Sequence, residues 1–258
     1  MAKTTSPAVA TILKDLRAAL DEKADEKARP APGVKSPLKV IGVRASVLKG
    51  IARELAVRHK AILEYPLAAD LLDAAAGRKV REEILVAIEL LERFRKDFEP
   101  SLLLRMDKWS GVADDLEVAE ALGGRIAAFS LALDPSKIAT IRKWARLRSV
   151  GRKRLALLAA SGLVSEGRRD AALALDLCEI LLNEDHPILV TEVASLLRMT
   201  TKIDAKAVQD FLFRRSIDGN PAILRAGSEN LDAARRAALI AKLEAQQASL
   251  GALAAAGR

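Results

Sequence analysis

The stretch KVREEILVAIELLERFRKDF, residues 79–98, decides the fold class of this chain. Its apolar residues Ile84, Ile88, Leu91 and Phe94 recur every three or four positions, and charged residues fill many of the positions between them. This spacing is typical of an α-helix that buries one face and exposes the other. We therefore predict a helix over residues 79–98 that needs neighbours against which its apolar face can pack.

Similar helices precede and follow this one, separated only by short breaks such as Gly77 and Glu99-Pro100. Connections of roughly two to six residues make consecutive helices antiparallel, and such pairs bury their apolar faces by stacking on the next pair. The sequence thus predicts an all-α fold, an α-solenoid (α-α superhelix) of antiparallel HEAT-like helix pairs, although no strict sequence period is visible. The other predicted helices cover residues 7–20, 44–60, 66–76, 100–109, 110–122, 124–133, 135–147, 150–163, 167–182, 187–199 and 204–215, with a last helix from Leu231.

Breaks in this helical pattern predict the domain organisation. Residues 21–37 combine many charges with three prolines, which is typical of a flexible connector. We expect the N-terminal helix and this Pro-rich connector to form residues 1–38, and the HEAT-like helical repeat domain to form residues 39–258. The strand-like residues 40–44 are predicted to be an extended loop, and Gly123-Gly124 is predicted to break a helix.

Composition narrows the class of protein further. Half of the residues are apolar but only 3% are aromatic, which favours helices over sheets. With one cysteine, Cys178, and two distant histidines, His59 and His186, the sequence predicts neither an internal disulfide nor a metal site. No apolar run resembles a signal peptide or a membrane span, so we expect a cytoplasmic monomer without cofactor, metal or membrane contact. His59 is predicted to lie on the surface at a helix end.

Positive charge is concentrated in one part of the chain. The net charge is +8, and residues 135–165 contain eight basic residues and no acidic one. A long run of one sign repels itself unless a polyanion offsets it, so this segment predicts binding to nucleic acid, while a merely solvated face is the alternative. The expected phosphate contacts are Arg146, Arg148, Arg152, Lys153 and Arg154.

Two tryptophans stand beside charged residues in a chain with few aromatics. Trp109 follows Asp107-Lys108, and Trp144 lies between Lys143 and Arg146. Each indole can fill a helix–helix junction, or it can pack against a sugar or base on a basic surface. The residues alone leave both alternatives open.

Four stretches resemble the DNA alkylation repair enzymes of the AlkD type, which are solenoids of HEAT-like helix pairs. The resemblance spans residues 40–215 and rests on residues 41–52, 81–91, 108–112 and 144–156. Ser46 stands where the family has a proline. Members of this family remove purines alkylated at N3 or N7 from duplex DNA without a deep base pocket.

The resemblance implies a division of roles among the site residues. The alkylated base is cationic, so its glycosidic bond is weak, and a carboxylate with aromatic faces against the deoxyribose stabilises the developing sugar cation. An arginine holds the neighbouring phosphate. In this chain the family's tryptophan corresponds to Trp109 and its arginine to Arg154, with Trp144 and Arg198 as further DNA contacts.

Two other positions depart from the family pattern. Ala113 stands where the family has its catalytic aspartate, and Ser195 stands where it has a second tryptophan. A shift at Ser110-Gly111, with Ser110 capping the following helix, would bring Asp114 into the site as the catalytic carboxylate beside Trp109. A one-residue offset turns a helical side chain by about 100°, so loss of the glycosylase activity is the alternative.

The expected partner is duplex DNA, alkylated or branched, held on a concave basic face. A protein–protein scaffold and a non-catalytic binder of bent or branched DNA are the alternative functions.

Overall fold

The computed structural model describes residues 6–29, 37–165, 167 and 171–256, and in these residues the predicted all-α class of paired helices is confirmed. The described part of the chain contains no strand, only an isolated bridge between Lys39 and Val80. The helices are α1 Pro7–Glu22, α2 Ala45–Arg58, α3 Tyr65–Arg78, α4 Arg81–Glu92, α5 Leu102–Trp109, α6 Leu116–Ala119, a π-helical segment Glu120–Ala127, α7 Ala128–Leu133, α8 Ile138–Arg146, α9 Val150–Ser165, α10 Ala171–Leu181, α11 Pro187–Thr201, α12 Ala205–Arg214, α13 Pro221–Gly227 and α14 Ala233–Ala256.

The chain forms two compact units, Met1–Pro135 and Ser136–Arg258. In the first unit α4 packs against α3 and α2, and α1 packs against α3. In the second unit α9 packs against α8, and α11 packs against α9 and α13. The division at residue 38 stays a prediction, and residues 30–36 of the predicted connector lie outside the described residues.

Apolar spacing predicted the longer helices well. The observed bounds of α1, α2, α9, α11 and α12 agree with the predicted ones to within about two residues, the usual uncertainty of a helix end. The sequence missed α13, which is too short for a repeating apolar pattern. It begins with Asn220 as N-cap and Pro221 in its first turn, and its Gly227 lies so close to α11 that an added Cβ would come within 2.6 Å of Leu197 Cδ1.

Predicted helix boundaries around α4 and α6 are wrong. Lys79 ends α3 in the left-handed conformation, with φ 56°, so α4 cannot begin before Arg81, and it ends at Glu92. Ser110–Val112 is a 3₁₀ turn, and the next helix begins only at Leu116. Gly123-Gly124 does not break this helix.

Instead, the glycine pair lies within the π-helical segment Glu120–Ala127, which continues into α7. Leu122 and Ile126 on either side are fully buried, so an unbroken helix keeps both in the core. The wider π turn lets the helix continue through the two glycines without ending.

The buried carboxylate of Glu82 fixes the extended loop that precedes α2. It accepts hydrogen bonds from the backbone N–H groups of Ile41 at 3.0 Å, Gly42 at 2.9 Å and Val43 at 3.4 Å. Gly42 has φ +98°, and an added Cβ would lie 2.8 Å from the carbonyl oxygen of Asp25. The prediction of an extended loop over residues 40–44 is confirmed, and Glu82 replaces the partners that a sheet would have provided.

The prediction that His59 lies on the surface is wrong. Its side chain is buried, and its Nε2 lies 3.0 Å from Oδ2 of Asp15 in α1. The contact ties the end of α2 to the first helix, which explains why a residue at a helix end is not exposed.

We predict that Glu82→Gln lowers the free energy of unfolding by about 2–3 kcal/mol, because an amide NH₂ would face backbone donors and leave buried N–H groups unpaired. Urea denaturation followed by circular dichroism measures the change. Glu54→Gln, on the exposed side of α2, is the matched control and should leave the midpoint unchanged. Equal effects of the two substitutions would contradict the role given to Glu82.

Candidate nucleic-acid interface and active-site turn

Trp109 closes α5 and is buried, with 1% of its surface exposed. Its indole Nε1–H donates to Oδ1 of Asp73 in α3 at 2.7 Å. Trp144 in α8 is also buried, at 3%. Both indoles therefore occupy the position expected for a helix-junction residue, and neither presents an open ring face to solvent.

The two acids that follow the Trp109 turn have different environments. Asp115 is 3% exposed, accepts a hydrogen bond from Nε of Arg81 at 2.7 Å, and caps α6 through the N–H of Val118 at 3.2 Å. Asp114 is exposed, and Ala113 is fully buried. Asp115 is thus committed to the fold, while Asp114 is a carboxylate that solvent and ligands can reach.

The predicted capping role of Ser110 is wrong. Its hydroxyl donates to the backbone carbonyl of Asp107 at 2.7 Å, back into α5, and Asp115 caps the following helix instead. The Ser110 side chain thus stabilises the end of α5 and not the start of α6.

A cavity of about 490 Å³ borders this turn. Trp109 and Gly111 line it together with Lys79, Lys108 and Asp73. Neither Asp114 nor Asp115 belongs to its lining, so the exposed carboxylate and the indole do not face one shared pocket.

Three exposed cations of the second unit lie together at the end of α8. Lys143, Arg146 and Arg148 are exposed, and none of them has an ion-pair partner among the described residues. Ser149 caps the start of α9 by accepting the backbone N–H of Arg152 at 3.3 Å, which fixes the short turn between the two helices. The α8 cations, as we call Lys143, Arg146 and Arg148, are available to an anionic partner.

The other predicted DNA contacts are engaged within the protein. Arg154 is 3% exposed and donates through Nε to Glu192 at 3.0 Å, and Lys153 pairs with Glu184. Arg152 is half-buried. Arg198 donates to the carbonyl oxygen of Ala226 at 3.1 Å and pairs with Glu229 at 3.2 Å.

Sequence reasoning missed the acids that neutralise this basic segment. Glu184 and Glu192 lie 31 and 38 residues beyond their partners, and Asp176 lies 34 residues beyond Arg142, to which it binds at 2.6 Å. No signal in residues 135–165 indicates them. When helix pairs stack, acidic residues of the later helices come into contact with the basic residues of α8 and α9. A count of charges along the sequence does not show such contacts.

The described residues were also searched for a reactive cysteine, a metal site and a membrane-spanning helix. Burial raises the pKa of the Cys178 thiol, which keeps it protonated and unreactive. No cluster of three or more potential metal ligands is present among the described residues. No helix there has the length and apolar character that a bilayer crossing requires.

A comparison with protein families matched residues 12–231 of the chain to the model of the DNA alkylation repair enzyme family. The search of curated proteins found no match.

We predict that Asp115→Ala lowers the free energy of unfolding by about 2–4 kcal/mol, because it removes a helix cap and the buried carboxylate that accepts the hydrogen bond from Nε of Arg81. Asp114→Ala should change it by less than about 0.5 kcal/mol, as is usual for an exposed residue. Urea unfolding of the two variants beside the parent measures the difference. A reversed order would mean that the two acids have exchanged roles.

Proposed function

This chain belongs to the DNA alkylation repair enzyme family, and from that premise we propose that it binds duplex DNA through the α8 cations. The family gives the chain a role in DNA repair. The observation that carries the proposal is that Lys143, Arg146 and Arg148 are exposed and unpaired among the described residues, while neighbouring cations are used within the fold. Phosphate groups are the natural partner of such a cluster.

Arg154 and Lys153 have a supporting role in this proposal. A guanidinium that is 3% exposed and bound to Glu192 holds α9 against α11 and cannot reach a phosphate without breaking a buried pair. The phosphate-binding role that the family resemblance gives to Arg154 passes, in this proposal, to Arg146 and Arg148.

We further propose that binding proceeds without excision of the base. The position of the family's aspartate holds the buried methyl group of Ala113, and the nearest buried acid, Asp115, is bound to Arg81 and to the cap of α6. A carboxylate that stabilises a sugar cation must face that sugar at close range. Because Trp109 is buried, its indole does not present an exposed face against which a deoxyribose could pack.

Excision through Asp114 is the second candidate. It is supported by the exposure of Asp114, which lets the carboxylate meet a bound strand, and by its place directly after the Trp109 turn. In this version the Asp114 carboxylate stabilises the developing positive charge of the deoxyribose as the cationic base departs.

We predict that Arg146→Ala/Arg148→Ala weakens binding to a plain duplex about tenfold or more and lowers the slope of log K against log salt by about one for each phosphate that the variant no longer binds. Fluorescence anisotropy over a salt series measures both quantities. Because phosphate contacts carry no sequence information, the weakening should be uniform over duplexes of different sequence.

The matched control is Arg235→Ala/Arg236→Ala, which removes the same charge from the exposed start of α14. Its binding and salt slope should equal those of the parent. Unchanged binding in the α8 variant would move the DNA site elsewhere, and a flat salt dependence in the parent would favour a protein–protein scaffold. Preference for a four-way junction over the duplex would favour a binder of branched DNA.

We predict that the parent protein releases no N7-methylguanine or N3-methyladenine from an alkylated duplex above the protein-free rate, because no carboxylate is placed for the reaction. Alkaline cleavage of abasic sites and chromatography of the free bases measure release. Release by the parent that disappears in Asp114→Asn, with DNA binding intact, would instead make the chain a glycosylase.

A further inference from the structure

Most arginines of the first unit are used within the fold. Residues 1–135 contain eleven arginines, and all of them belong to the described part of the chain. Nine donate to a carboxylate or to a backbone carbonyl oxygen, as Arg17 does to Glu83. The other two, Arg53 and Arg93, are exposed, and their guanidinium groups have no ion-pair or hydrogen-bond partner among the described residues.

These two arginines line the same cavity, which measures about 490 Å³ and is distinct from the cavity at the Trp109 turn. Arg53 belongs to α2, and Arg93 directly follows the last residue of α4. Lys49, one helical turn before Arg53, also lines the cavity, is exposed, and has no ion-pair partner within the described residues. Two helices thus bring three available cations to one concave place, which we call the arginine cavity.

The acidic residues of the arginine cavity are already bound to other arginines. Nη1 of Arg125 lies 2.6 Å from Oε1 of Glu89 and 2.6 Å from Oε2 of Glu92. Nη2 of Arg95 donates to Oε1 of Glu92 at 2.5 Å. Five of the lining residues are basic and two are acidic, so the lining has a formal charge of +3. The protein itself therefore leaves three cations of this cavity without a counter-ion.

A phosphate monoester suits this lining. Each guanidinium presents a planar set of N–H groups that can bind two phosphate oxygens at once. A monoester carries about −1.5 to −2 charge at pH 7 and has three free oxygens, whereas a phosphodiester inside a strand carries a single charge. The volume lies within the range of about 300–1,000 Å³ that is typical of small-molecule sites, so the sugar that carries the phosphate also has room.

We propose that the arginine cavity binds a phosphate monoester of deoxyribose, with the phosphate held by Arg53 and Arg93 and assisted by Lys49. The end of a DNA strand is one source of this group, and a free sugar phosphate is the other. A phosphate inside a strand fits less well, because the strand continues from it on both sides. The choice of deoxyribose rests on the proposed DNA binding, whereas the preference for a monoester rests on the cavity and its charges.

The first test measures binding of the full-length protein by fluorescence anisotropy to duplexes with phosphates at both 5′ ends, at both 3′ ends, or at neither. We expect one phosphorylated duplex to bind about three- to tenfold more tightly than the hydroxyl-ended duplex, since exposed charge pairs contribute modestly. Arg53→Ala/Arg93→Ala should abolish this preference and leave the affinity for the hydroxyl-ended duplex at the parent value. Arg53→Lys/Arg93→Lys should keep part of it, because lysine retains the charge without the planar set of donors.

The matched control is Lys14→Ala/Lys60→Ala, which removes two exposed cations of the same unit that do not line the cavity. It should keep the full preference. A melting curve of each variant shows that it is folded. An end preference that survives Arg53→Ala/Arg93→Ala, or that the control variant also loses, overturns the assignment to this cavity.

A second arm separates the two sources of the phosphate. Isothermal calorimetry compares 2-deoxyribose 5-phosphate with dimethyl phosphate, a diester. Saturable binding of the sugar phosphate that Arg53→Ala/Arg93→Ala loses, without an end preference on duplexes, assigns the cavity to the free form; an end preference assigns it to a DNA strand end. The proposal is overturned if neither phosphorylated duplex is preferred and the sugar phosphate binds no better than the diester.

The outcome is independent of the proposed role of the α8 cations. Arg146→Ala/Arg148→Ala should weaken all three duplexes by the same factor, so the end preference remains. It should also leave the binding of free 2-deoxyribose 5-phosphate unchanged. Conversely, failure of the arginine cavity leaves the duplex affinity that depends on Arg146 and Arg148 untouched.

Discussion

Side-chain bonds between one helix pair and the next are the constraint on which the rest of the structure depends. Three of the six bury one of their two groups, Trp109, Asp115 or Arg154, so within each unit one helix pair stabilises the next. Breaking such a bond leaves a desolvated group behind, which costs more than a missing surface contact. These bonds join Arg81 to Asp115, Trp109 to Asp73, Arg125 to Glu89, Arg142 to Asp176, Lys153 to Glu184 and Arg154 to Glu192, at sequence separations of 34, 36, 36, 34, 31 and 38 residues.

This constraint explains what the sequence could and could not predict. The apolar spacing within α9 or α11 is local and appears directly in the sequence, so the fold class and most helices were predictable. The pairing of Lys153 with Glu184 is not local, so a basic run looked unpaired although several of its charges are neutralised by distant acids. Likewise, the π segment depends on burying Leu122 and Ile126 together, whereas a glycine pair alone indicates only a break.

The Trp109 turn shows how the same constraint limits chemistry. Asp115 caps α6 and binds Arg81, and an acid that carries both tasks is not free to face a substrate. Asp114, one residue earlier, is exposed, whereas Asp115 is buried. Sequence could name both acids as candidates but could not separate them, because the difference lies in Arg81, which precedes Asp115 by 34 residues.

Charges that remain outside this pairing are the ones available for function, and they differ in kind between the two units. The α8 cations carry one sign and lie on an exposed helix end, and in the function proposed above they bind the phosphate backbone with little regard to the bases it carries. In the first unit, Glu117 and Glu120 line one cavity and Arg53 and Arg93 line another, so the exposed charges there are of both signs. A surface of one sign can hold a polyanion but cannot recognise a positive charge on a base.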